Sequence, residues 1–213
     1  MADSARLPRL LLVTDPMCSW CWGMAAAVEE AQQHLAGQVR LELLLGGVNL
    51  HGTQPIGSYG RSVLARLWAE VAQTTGQPFA ASVPEPLVYN SLLPCALLKW
   101  AAIEKQRTPL GLLHRMQQRF FHHGANINGI DELVRLAAEF DLRLDDPLVT
   151  LHEVAAGAPL QHEFETARSY GTRALPALVL DEKGQRRLLL GGYADAETIV
   201  ETTQRRLSEE HRS

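Results

Sequence analysis

The stretch Leu10-Leu11-Leu12-Val13-Thr14-Asp15-Pro16-Met17-Cys18-Ser19-Trp20-Cys21-Trp22-Gly23 decides the fold of this chain. The apolar run Leu10 to Val13 reads as a buried strand. Asp15-Pro16 ends it, because the residue before a proline is pushed out of the helical region and the proline has no amide to pair. From Ser19 to about Gly37 the pattern is helical. Ala25, Ala26, Val28, Ala31 and Leu35 supply the apolar positions, and Gly37 is the stop. Cys18 and Cys21 therefore fall at a strand-to-helix junction. The first cysteine sits where helix amides lack partners and the macrodipole is positive, an environment that favours a thiolate nucleophile. Cys21, one helical turn on, is close enough to close a disulfide with it. Two cysteines at this spacing could also be half of a zinc site. Zinc normally wants four ligands, however, and the only other cysteine is Cys95. The adjacent pair His122-His123 does not have helical ligand spacing.

The rest of the composition narrows the class. With 213 residues, the chain is long enough for one large domain or a domain carrying a substantial insertion. A net charge of -4 and a pI near 6.1 argue against a general nucleic-acid or anionic-membrane binder. Three cysteines do not make a disulfide scaffold. The polar segment Met1 to Arg9 precedes an apolar run too short for the core of a secretory signal, and no stretch approaches membrane-spanning length. The expectation is a cytoplasmic protein with no cofactor and no metal. Oligomeric state is left open.

After the first helix, Val39 to Leu45 suits a second, parallel strand, completing a βαβ unit with a right-handed crossover. Residues 56–157 are helical nearly throughout: Arg61 to Thr75, Ser91 to Lys105, a helix through Phe121 begun by a Thr108 cap and first-turn Pro109, Asp131 to Phe140, and Leu148 to Ala155. Gly76 to Asn90, with three prolines, reads as a loop. Pro159 to Tyr170 is a helix leading back to the framework. Pro176 to Leu180 and Arg186 to Leu190 make a hairpin about Asp181-Glu182-Lys183-Gly184, and Asp195 caps a terminal helix through Leu207. The domain expectation is residues 8–50 and 158–210 as one α/β domain, with 56–157 an inserted helical subdomain.

This arrangement resembles the DsbA-like branch of the thioredoxin superfamily over essentially the whole chain: Cys18-Ser19-Trp20-Cys21, the helical insertion, and Leu175-Pro176 before the final hairpin. The Asp15 to Gly23 segment is most similar to the FrnE-like subgroup of cytoplasmic dithiol-disulfide oxidoreductases. The resemblance implies an α/β, thioredoxin-like fold with an inserted helical subdomain. It further implies Cys18 as attacking thiolate, Cys21 as resolving thiol, and Pro176 in cis within Thr172-Arg173-Ala174-Leu175-Pro176-Ala177. Leu175 would then offer its backbone to an extended substrate. Two departures stand out. Ser19-Trp20 replaces the Pro-His dipeptide of DsbA itself, and Cys95 is unpaired where some FrnE proteins carry a further cysteine pair. Trp20 cannot supply the positive charge of a histidine, so a less oxidising pair than DsbA is expected.

Around this centre, Asp15 is favoured as a turn residue before Pro16, with proton transfer from Cys21 as the alternative. Trp20 and Trp22 could form an apolar lip for substrate, with Trp22 favoured for the core. Cys95 reads as a buried small hydrophobe, Asn90 as a helix cap, and His114, His122 and His123 as a solvated face. The expected activity is thiol-disulfide exchange or isomerisation, as in protein disulfide isomerases, on protein, peptide or small-thiol disulfides, glutathione among them. The same insertion fold is shared by kappa-class glutathione transferases and 2-hydroxychromene-2-carboxylate isomerases. Those typically carry serine at the first position and lack the second cysteine. A non-catalytic binding protein using an apolar groove is the third alternative.

Overall fold

The computed structural model describes residues 7–170 and 174–210. Thr172 and Arg173 of the expected proline loop, and Met1 to Arg6 of the polar N-terminal segment, lie outside the described residues. Strand β1 (Arg9–Thr14) leads into helix α1 (Ser19–Gly23), α2 (Ala25–His34) and β2 (Arg40–Leu45). Helices α3 (Ser58–Thr75), α4 (Leu92–Lys105) and α5 (Leu110–Gln117) follow, then a π-helical turn (Gln118–His122), α6 (Ile130–Glu139) and α7 (Pro147–Ala156). Helix α8 (Ala158–Ser169), the hairpin β3 (Ala177–Glu182) and β4 (Gln185–Gly191), and α9 (Ala196–Glu210) complete the order. Among the described residues, no helix is long and apolar enough to cross a membrane.

The sheet order is β2-β1-β3-β4, with β1 and β2 parallel and the other pairs antiparallel. Central β1 is buried on both faces, as its unbroken apolar run requires. Leu10 and Leu12 face Val28 and Ala31 of α2, Leu35 at its C-terminal cap, and Ile199 of α9. Leu11 and Val13 face the other way, against Val179 and Ala167 of α8. The β3–β4 turn places Lys183 and Gly184 at positive φ, a conformation that suits glycine at the second position. Buried Asp181 is held there by Arg9, Arg186 and the Gly184 amide.

The helices between β2 and α8 do not form a separate core. Their apolar cluster, built on Trp68, Leu97, Leu113, Phe120, Phe121 and Leu136, also takes in Met17, Trp22 and Ala25 from the first βα unit. Trp22 stacks on Phe121, which meets Trp68 and Phe79 edge-on. Each such ring or aliphatic chain removed from water contributes about 1.5–3 kcal/mol, so this cluster supplies much of the stability around the cysteines.

Several local expectations differ from the structure. The first helix is broken at Met24, immediately after Gly23, whose backbone lies so close to α3 that an added Cβ would stand 2.7 Å from Val71 Cγ1. Thr108 does not cap α5; its hydroxyl donates to the Leu41 carbonyl, and Pro109 occupies the cap position. The helix expected to run through Phe121 widens into the π turn, with His123 N donating to Gln118 O. The extra residue in that turn lets the consecutive Phe120 and Phe121 both reach the core, where each is fully buried. Helix α6 keeps its expected place, with Gly129 of the preceding turn at the cap position and Asp131 in the first turn.

Candidate active site

Cys18 is the N-cap residue of α1, in extended conformation, and its Sγ accepts the Cys21 amide at 3.2 Å. The loop that delivers it is a turn: Cys18 N donates to Asp15 O at 3.3 Å across Pro16-Met17. Cys18 is 9% exposed and Cys21 5% exposed, and both are free thiols. Burial pushes the Cys21 thiol well above its usual range. The Cys18 sulfur and the Asp15 charge push the same way, and a hydrogen bond with Thr14 acts against them. Cys21 therefore rests as the protonated partner. Among the described residues, no cationic side chain hydrogen-bonds either sulfur.

Beneath the pair lies a polar knot that the sequence did not reveal. Asp15 is fully buried. Its Oδ1 accepts Met17 N at 2.7 Å, which is the turn role expected of it. Its Oδ2 accepts Val48 N at 2.9 Å and the Ser91 hydroxyl at 2.5 Å. Cys95 Sγ lies 3.6 Å from the same oxygen, so Cys95 is buried as expected but is not merely an apolar filler. Burial raises the Asp15 carboxyl to about 6, the surrounding hydrogen bonds limiting the rise. Gln117 donates to the Asp15 carbonyl and Tyr89 OH to the Met17 carbonyl at 2.9 Å. Burial, followed by the charges of Cys18, Asp15 and Cys21, pushes the Tyr89 phenol upward.

The second wall comes from the hairpin. The register pairs Val13 with Ala177, so Pro176 stands beside the end of β1 that feeds the cysteine loop. Leu175-Pro176 is a cis peptide bond, as the resemblance implied, and Glu85-Pro86 is a second, unexpected one. Pro176 is buried and Leu175 half-buried. The Pro176 carbonyl accepts the Gly192 amide at 2.8 Å. Leu175 rests on Gly46, at the end of β2, where an added Cβ would come within 2.7 Å of Leu175 Cδ1. Trp20 is half-buried and faces Tyr193 with ring centroids 6.0 Å apart. Trp22 belongs to the core, its indole nitrogen donating to the Pro78 carbonyl.

The structure thus gathers Cys18, Cys21, Asp15, Trp20, Leu175 and Pro176 at one end of the sheet. Ser91, Tyr89 and Tyr193 join them from segments that no local motif links to the cysteines. Asn90 Oδ1 accepts Leu92 N at the start of α4, close to its expected role, although Ser91 holds the cap position. The histidines divide. His122 and His123 are exposed, but His114 is half-buried against Glu29, and burial lowers its pKa.

No protein-family model matches the sequence, and no curated protein is similar to it. Solved structures are. A candidate protein disulfide isomerase from Nitrosomonas europaea superposes with a TM-score of 0.82 at 24% identity, over 95% of this chain and 98% of that one. The cytosolic disulfide reductase DsbM from Pseudomonas aeruginosa gives 0.71 at 23% identity, over 96% and 98%, and its structure with glutathione gives 0.70. A 2-hydroxychromene-2-carboxylate isomerase gives 0.62 at 13% identity, over 96% and 98%. DsbA-type oxidoreductases are among the other matches. With its dithiol helix after β1, its helices between β2 and α8, and its proline-led hairpin, the chain has the DsbA-like thioredoxin fold.

Proposed function

We propose that the protein is a thiol-disulfide oxidoreductase of the FrnE-like kind, acting in the cytoplasm through Cys18 and Cys21. The observation that carries this reading is the pair of free thiols at the head of α1, with the Cys21 amide directed at Cys18 Sγ. Cys18 thiolate attacks one sulfur of a substrate disulfide, forming a mixed disulfide and releasing the other half as a thiolate that takes up a proton. Cys21 then loses its proton, with Asp15 as the acceptor, and attacks Cys18 Sγ. The second substrate thiol departs, and the chain is left with a Cys18–Cys21 disulfide. The substrate has gained the two electrons that the dithiol lost. Run in reverse, the oxidised pair donates its disulfide.

Leu175 and the Trp20–Tyr193 pair form the substrate wall, Leu175 offering backbone groups and the rings an apolar face. The absence of a cationic hydrogen-bond partner at either sulfur, among the described residues, fits a reducing direction. Cytosolic reductase activity and glutathione binding belong to the similar DsbM, and they support glutathione or a peptide disulfide as the substrate here. The isomerase-type alternative shares the fold but not the chemistry this dithiol provides.

The test is a redox titration against glutathione, read by intact mass and tryptophan fluorescence. A reversible two-electron transition is expected, and Cys18→Ser should abolish it together with disulfide reduction. Unchanged reduction by that variant would sink the assignment.

A further inference from the structure

Strand β2 is an edge strand. Its even-numbered residues face β1: Arg40 N donates to Pro8 O and Gly46 N to Thr14 O. Alternation turns the main chain of Leu41, Leu43 and Leu45 to the open side. Both ends of that open side are engaged. Thr108 Oγ1 donates to Leu41 O at 3.1 Å, and Leu45 N donates to Glu163 Oε1 at 3.0 Å. Between them, the Leu43 N–H and C=O have no hydrogen-bond partner among the described residues. Leu43 lines a cavity of about 760 Å³, walled by the α4–α5 loop on one side and α8 on the other.

The charge of this groove opposes that of the chain. Arg9, Arg40, Lys99, Arg107 and Arg186 line it against Glu42 and Glu163, whereas the whole protein carries -4. The acids are already matched: Glu42 by Arg9 and Arg40, Glu163 by Lys99, and buried Asp181, outside the lining, by Arg9 and Arg186, which leaves a surplus of two cations. Arg107 is exposed and makes no ion pair among the described residues. An open strand edge recognises an extended main chain rather than a compact anion, and the surplus of cations selects an acidic one. The volume suits a segment of a few residues.

We propose that the edge of β2 between Thr108 and Glu163 takes a short, extended acidic peptide as an added strand, with Leu43 exchanging main-chain hydrogen bonds and Arg107 meeting a carboxylate. The site is separate from the dithiol and does not rest on the redox reading.

The experiment uses the intact chain and a fluorescein-labelled, cysteine-free peptide of alternating valine and glutamate, with an alternating valine and lysine peptide as control. The acidic peptide is expected to bind at least tenfold more tightly than the control, and Arg107→Glu to weaken it at least tenfold. Amide exchange at Leu43 should slow at least tenfold on binding, while that at Leu44, already paired with β1, stays constant. Equal affinity for the two peptides would overturn the proposal, as would binding that leaves Leu43 exchange unchanged. Concentration-dependent protection of Leu43 without peptide would do the same, since it would assign the edge to a second copy of the chain.

Discussion

Replacing Asp15 by Asn isolates the energetic cost of the buried carboxylate. In the fold this group titrates at about 6, against an ordinary value of 3.8. The folded state therefore holds the proton more tightly than the unfolded chain does. Its stabilising contribution is complete below about pH 3.8 and is lost as pH rises through about 6. At about 1.4 kcal/mol per pH unit, the difference amounts to about 3 kcal/mol. Asparagine has nearly the same shape and can keep most of the bonding. Its oxygen can accept Met17 N, its amide can donate to Ser91 Oγ, and Val48 N already lies 2.8 Å from that hydroxyl. Urea denaturation of both proteins across pH 4 to 8 gives the stability difference at each pH. Subtraction removes groups common to both, such as His114. The variant should gain on the parent by about 2.4 kcal/mol between pH 4 and 7.5, the rest of the difference falling below pH 4, and then level off. A flat difference, or one that falls with pH, would refute the reasoning that burial controls this carboxyl.

The other predictions concern the same end of the molecule. Cys21→Ala should accumulate mixed disulfides at Cys18 that intact mass spectrometry detects after exposure to glutathione disulfide; recovering none would remove Cys21 as the resolving thiol. Gly23→Ala forces a methyl against Val71 and Thr75, both on α3. It should destabilise the chain by about 1–3 kcal/mol in urea, and a neutral result would show that α3 yields freely. Tyr193→Ala removes one ring of the aromatic wall and should raise KM for a peptide disulfide about two- to tenfold with little change in kcat, the worth of one aromatic contact. An unchanged KM would take Tyr193 out of the substrate surface.

The framework was readable because its signals are local. The apolar run of β1, the proline after Asp15, the cysteine spacing and the polar turn at Lys183-Gly184 each depend on neighbours a few residues away. Where the reading fell short, the decisive contact lies far along the chain. Ser91 meets Asp15 across 76 residues, and nothing in the sequence around either marks them as partners. Tyr193 reaches Trp20 only because the β4 end and the α1 head share one end of the sheet. The break at Met24 follows from α3 packing on Gly23, and the widened turn at Phe120-Phe121 from the needs of a shared core. Thr108 had the right residue type for a cap, but the exposed Leu41 carbonyl of β2 took its hydroxyl instead.

The stacking of Trp22 on Phe121 also bears on the order in which the chain folds. These rings are about a hundred residues apart, so bringing them together closes a long loop whose entropic cost grows with the logarithm of its length. Contacts of such high sequence separation form slowly compared with single helices or a hairpin. The residue that follows Cys21 thus reaches its final setting only when the middle of the chain has condensed. The expected consequence is that, during refolding, the dithiol is open to solvent and to stray oxidants until that closure.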